Sequence, residues 1–87
     1  MYVVMVYDVA VERVNRVFKI ARQHLVWVQN SVFEGEITPA DFERLKSKVR
    51  DVINEESDSI IFYKLRSTKY FSKVTVGATK GEPTTII

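Results

Sequence analysis

Eighty-seven residues make one domain, and without a cysteine the chain builds neither a disulfide nor a thiolate metal site. A net charge of +2, from 13 basic and 11 acidic residues, permits a polyanionic partner without requiring one, so the placement of charge matters more than its sum. No basic-flanked apolar leader and no apolar run of bilayer-spanning length is present, so the expectation is a cytoplasmic protein with no membrane partner.

The first seven residues, Met-Tyr-Val-Val-Met-Val-Tyr, are apolar or aromatic without a break, and Asp8 follows. Such a run reads as a central strand buried on both faces. Val14, Val17, Phe18, Ala21 and Leu25 then recur at helical spacing, leaving Glu12, Arg13, Arg16, Lys19, Arg22 and Gln23 on a basic, solvated side. Residues 25–37 read as extended, either two short strands bent at Asn30-Ser31 or one strand with a bulge. Thr38-Pro39-Ala40-Asp41 is a helix start: a capping hydroxyl, a proline suited to the first helical position, and an acid at the third. Phe42, Leu45, Val49, Val52 and Ile53 form that helix's apolar stripe. Residues 59–65 predict another strand, residues 66–73 a basic connection interleaved with aromatics, and residues 74–77 a short final strand. A polar tail closes on four β-branched residues, Thr84 to Ile87.

The order strand, helix, strand, strand, helix, strand predicts an α+β fold, the split βαβ arrangement of ferredoxin-like domains, with an extra short C-terminal strand. Residues 1–77 form the domain in this reading, and residues 78–87 a tail and strand pairing at a dimer interface. Two helices cover one face of such a sheet and leave the other bare. At 46% hydrophobic and 11% aromatic residues, the chain has more apolar material than so small an interior needs, which predicts a homodimer.

Asp8 reads in two ways. It is a ligand for magnesium, which takes hard oxygen donors and needs only one or two protein carboxylates, or it is a turn acid before the first helix. His24, the single histidine, reads as structural at a helix end, and no second histidine offers a zinc site. No nucleophile motif or glycine-rich phosphate loop is present. Arg13, Arg16 and Lys19, with Arg66, Lys69 and Lys73, are either phosphate contacts or solvated surface. Tyr70 and Phe71 either stack bases or anchor their loop.

Tyr7-Asp8-Val9, the early-helix arginines and Val28-Gln29-Asn30-Ser31-Val32-Phe33-Glu34-Gly35 together resemble the Cas-two family of CRISPR-associated nucleases, over nearly the whole chain. The resemblance implies a ferredoxin-like homodimer in the spacer-acquisition machinery of antiviral defence. It implies that Asp8 is the catalytic carboxylate and binds Mg2+ or Mn2+. It implies that Tyr7, Ser31 and Phe33 shape the cleft and interface, that Arg13 and Arg16 are the basic early-helix positions, and that the Cas-one integrase is the partner. Two departures stand out: Trp27 where a basic residue is common, and His24-Leu25 where a glycine often follows the first helix.

The expected activity is metal-dependent hydrolysis of phosphodiester bonds in RNA, duplex DNA or both, with paired Asp8 side chains at a twofold axis and basic helix faces that hold backbone without reading bases. The rival expectation is a non-catalytic DNA-binding scaffold for the integrase, in which Arg13 and Arg16 matter and Asp8 does not.

Overall fold

The computed structural model describes residues 1–66 together with Val74 and Val76. Within it, β1 (Tyr2–Asp8), α1 (Val11–Arg22), β2 (Val26–Gln29), β3 (Val32–Glu36), α2 (Pro39–Arg50) and β4 (Ser59–Leu65) follow in order. The strands form one antiparallel sheet in the order β2-β3-β1-β4. Each helix therefore bridges two strands that are not neighbours, β1 to β2 across β3 and β3 to β4 across β1. This is the ferredoxin-like arrangement.

Alternation along β1 sorts its side chains between two environments. Val3, Met5 and Tyr7 point toward the helices and are buried. There they meet Val17 and Ala21 from α1, Phe42, Leu45 and Val49 from α2, and Phe33 from β3 in one core. Tyr2, Val4 and Val6 point to the opposite face and stay half-exposed. The expectation that β1 is buried on both faces thus holds, within one chain, for the helix side alone, because both helices lie on that side. The open face carries Val26 at 38%, Ile61 at 47% and Tyr63 at 57% exposure.

Local chemistry explains the element ends. Thr38 caps α2 through its hydroxyl, which accepts the Asp41 N–H at 3.1 Å, and Pro39 occupies the first helical position. β2 and β3 are two strands, not one, and Asn30 turns between them at φ 45°, a left-handed conformation that asparagine tolerates better than most residues. A register shift between Trp27 and Gln29 marks a bulge in β2. The expected connection over 67–73, Thr75 and Gly77 of the expected final strand and the tail over 78–87 lie outside the described residues. Among the described residues, no helix is long and apolar enough to cross a membrane.

Candidate active site

Asp8 is the last residue of β1, and its parity places it on the open face with Val4 and Val6. It pairs with Ser59 across the β1–β4 ladder, so the strands on which it sits are fixed by hydrogen bonding rather than by a loop. Its side chain is exposed. Among the described residues its carboxylate accepts no hydrogen bond and meets no cation. An acid that capped its own helix would accept a backbone N–H. The α1 cap position is instead Ala10, which has no capping side chain. Asp8 is therefore not a cap of α1, and among the described residues its oxygens have no partner.

Tyr7 and Phe33 stand behind Asp8, not beside it. Both are in the core on the helix side, with ring centroids 6.1 Å apart. Phe33 also meets Phe18 edge-on at 5.2 Å, and Phe18 in turn meets Trp27 at 5.2 Å. Burial pushes the Tyr7 hydroxyl above the ordinary phenol range. Ser31 joins this group through its backbone, its carbonyl accepting the Tyr7 N–H at 3.1 Å. The three residues brace the end of β1 from below. Trp27, standing where a basic residue is common, packs on Phe18 and donates its indole N–H to the Asn30 carbonyl at 3.0 Å.

The expected basic residues separate. Arg13 is committed within the protein: its Nε and Nη2 donate to the two oxygens of Asp58 at 2.6 and 3.0 Å. Arg16 and Lys19 are exposed on α1 and have no ion-pair partner among the described residues. Arg66 follows the end of β4 that pairs with Tyr2, so it lies at the far end of the sheet from Asp8, about 20 Å away at about 3.3 Å per strand residue. Lys69 and Lys73, with Tyr70 and Phe71, fall outside the described residues. One chain thus brings Arg13 near Asp8, runs Arg16 and Lys19 away along α1, and keeps Arg66 apart.

His24 is structural, as its position suggested. Its Nδ1 lies 2.9 Å from Asp41 Oδ2 and its Nε2 lies 3.1 Å from Lys48 Nζ, tying the end of α1 to α2. An ammonium only donates, so Nε2 accepts and Nδ1–H donates to Asp41. That hydrogen bond, with a further one from Arg44, holds the Asp41 carboxyl below the usual range.

Sequence reasoning missed Asp58. Its side chain is 1% exposed and accepts the backbone N–H groups of Ala10 at 3.0 Å and Asn54 at 2.9 Å, besides Arg13. The Arg13 guanidinium and these backbone donors hold its carboxyl well below the ordinary range. One signal was available. A helix that starts Ala-Val-Glu has no capping side chain of its own, so its first N–H groups must find acceptors elsewhere in the chain.

For a divalent cation, Asp8 is a hard oxygen donor with no competing partner among the described residues, which fits magnesium or manganese. The described residues of one chain contain no cluster of three or more histidine, cysteine, aspartate or glutamate side chains able to hold a metal. Asp8 by itself supplies one protein carboxylate, within the range magnesium accepts but short of a full protein cage.

The chain is similar to known proteins along nearly its whole length. The family model for CRISPR associated protein Cas2 matches residues 1–73. A CRISPR-associated endoribonuclease Cas2 of Pyrococcus furiosus is 66% identical over 67 residues, 77% of this chain and 79% of that one. The protein of the same name from Methanosarcina acetivorans is 52% identical over 87 residues, the full length of both. Among solved structures, one described as the crystal structure of cas2 superposes with a TM-score of 0.83 at 45% identity, covering 92% of this chain and 90% of that one. Streptococcus pyogenes Cas2 gives 0.75 at 37% identity, covering 88% and 100%. A matching fold, a family match over most of the chain and relatives of more than half identity lead to one conclusion: the chain belongs to the CRISPR-associated Cas2 family.

Proposed function

We propose that this protein is a divalent-metal-dependent endonuclease. It hydrolyses phosphodiester bonds in RNA, in duplex DNA or in both, and acts in CRISPR spacer acquisition with the Cas-one integrase as partner. The observation that carries the reading is Asp8: a carboxylate at the end of a core strand, exposed, and without a partner among the described residues. A surface acid placed by a ladder, with no partner among the described residues, leaves its oxygens open to a ligand. The relatives' name, endoribonuclease, supports the same chemistry.

The working unit in this reading is a homodimer. Asp8 shares the open face with Val4, Val6, Ile61 and Tyr63, and Ile61 and Tyr63 expose about half their surface. Packing that face on a second copy removes apolar surface from water and turns both Asp8 side chains toward the same interface. The paired carboxylates would hold Mg2+ or Mn2+. When bound, the cation supplies neutralisation of charge on the scissile phosphate and a more acidic water. Asp8 fixes where that happens. Tyr7 and Phe33 keep the end of β1 from shifting. Arg16 and Lys19 hold the backbone without reading bases, so sequence preference is low.

The test is cleavage of RNA and duplex DNA by wild type and Asp8→Asn, with Mn2+ or Mg2+ and with a chelator. The proposal expects metal-dependent cleavage by wild type and loss of it in the variant. Full cleavage by Asp8→Asn refutes it. The exposed Arg16 and Lys19, which do not depend on Asp8, favour a second reading as a DNA-binding scaffold for the integrase. Salt-dependent duplex binding without any cleavage selects that one.

A further inference from the structure

The Asp58 carboxylate uses both oxygens fully. Oδ1 accepts the Ala10 N–H and Arg13 Nη2, each at 3.0 Å; Oδ2 accepts the Asn54 N–H at 2.9 Å and Arg13 Nε at 2.6 Å. Arg13 is equally occupied. Its Nη1 reaches Glu12 at 3.3 Å and its Nη2 also lies 3.5 Å from the Ser57 hydroxyl. Every nitrogen of the guanidinium faces a protein acceptor, which leaves little for a phosphate.

The place of this pair matters more than its strength. Ala10 is the cap of α1 and stands two residues after Asp8, while Ser59, next to Asp58, is the ladder partner of Asp8. One buried carboxylate thus ties the segment just after Asp8 to the segment that leads into its partner strand. It acts on α1 as a capping-box acid does, but from 48 residues away in the sequence. Resting on the reading of Asp8 as the catalytic carboxylate, we infer that Asp58 and Arg13 are positioning residues that hold the β1–α1 turn, and that Arg13 is not a phosphate contact. They act through the backbone, since Asp58 is buried on the helix side and Asp8 is exposed on the other.

The experiment uses Arg13→Lys, which keeps the charge but loses the fork, and Asp58→Asn, in which an amide N–H faces a donor. If Asp58→Asn does not fold, Arg13→Lys carries the test alone. Mn2+ is titrated while the NMR signal of the Asp8 amide is followed, and kcat, KM and the salt dependence of RNA binding are measured. The expected result in folded Arg13→Lys is a rise of about tenfold in the Mn2+ needed for half-broadening and a fall of about tenfold or more in kcat. KM stays within about twofold, and the salt slope is unchanged. Wild-type Mn2+ response and kcat overturn the inference. So does a salt slope reduced by about one contact in Arg13→Lys but not in Asp58→Asn, which returns Arg13 to the phosphate. If wild type shows no Mn2+ broadening at Asp8 and Asp8→Asn cleaves normally, the reading of Asp8 fails. The positioning role is then decided in metal-free protein by amide exchange over residues 8–10. Exchange about tenfold faster in Arg13→Lys supports it, and unchanged exchange refutes it.

Discussion

Phe33→Ala separates support from contact. Phe33 is fully buried, with Phe18 at 5.2 Å and Tyr7 at 6.1 Å between ring centroids. Removing a buried phenylalanine costs about 3–5 kcal/mol, including the cavity it leaves. A domain of this size has roughly 4–13 kcal/mol of stability in all, at roughly 0.05–0.15 kcal/mol per residue. The substitution therefore takes a quarter or more of what holds the fold. At about 4–8 °C per kcal/mol, Tm falls on the order of 12–40 °C. Thermal unfolding followed by circular dichroism measures this directly, with Ile61→Ala on the open face as the comparison. The functional consequence is specific. If Phe33 acts only by bracing Tyr7 and the end of β1, cleavage by Phe33→Ala is lost with folding and recovers where the variant is still folded. A variant with unchanged Tm and abolished cleavage would place Phe33 in contact with substrate and rule out a purely bracing role.

Three further outcomes follow from the same geometry. Replacing Ile61 and Tyr63 together with lysine places two charges on the open face and should leave a folded monomer where wild type forms the proposed dimer, in sedimentation and scattering measurements; an undiminished dimer in the variant means that the copies meet elsewhere, and a monomeric wild type refutes the dimer itself. Asp58 binds its proton more weakly in the folded chain than in the unfolded one, so its contribution to stability is fully present above about pH 4 and is lost as pH falls below that value. Urea unfolding across the acid range should show this limb in wild type and a weaker one in Asp58→Asn; equal limbs would remove Asp58 as the cause. Arg16→Ala and Lys19→Ala should each lower nucleic-acid affinity about evenly across sequences and reduce the salt slope by about one; an unchanged slope means that α1 does not touch the backbone.

The parts of the fold legible in the sequence are those written in short-range patterns. Thr38-Pro39-Ala40-Asp41 announces α2 because a cap, a proline and an early acid act within one turn. The α1 stripe is legible because burial recurs at helical spacing, and the Asn30-Ser31 turn because few residues accept the backbone angle it needs. Asp8 was legible by position, as the first charge after an apolar strand. The role of Arg13 was not. Its partner lies 45 residues away, and Asp58 sits in a polar stretch, Asn54 to Ser59, that reads as an ordinary solvated loop. Long-range pairing of this kind leaves no periodic trace. It shows only as a missing local cap, at Ala10. Phe33 is a milder case. Its motif suggested the cleft and interface and its residue type the core or interface; strand parity, fixed by pairing with Met5, turns it to the helix side and into the core.

In the proposed dimer two copies of Asp8 share one cation. Mn2+ binding followed by electron paramagnetic resonance, with wild type and Asp8→Asn at known chain concentration, counts the ions per chain. One ion per two chains is expected in wild type and none at the same concentration in the variant. One tightly bound ion per chain, or equal binding by Asp8→Asn, would contradict it.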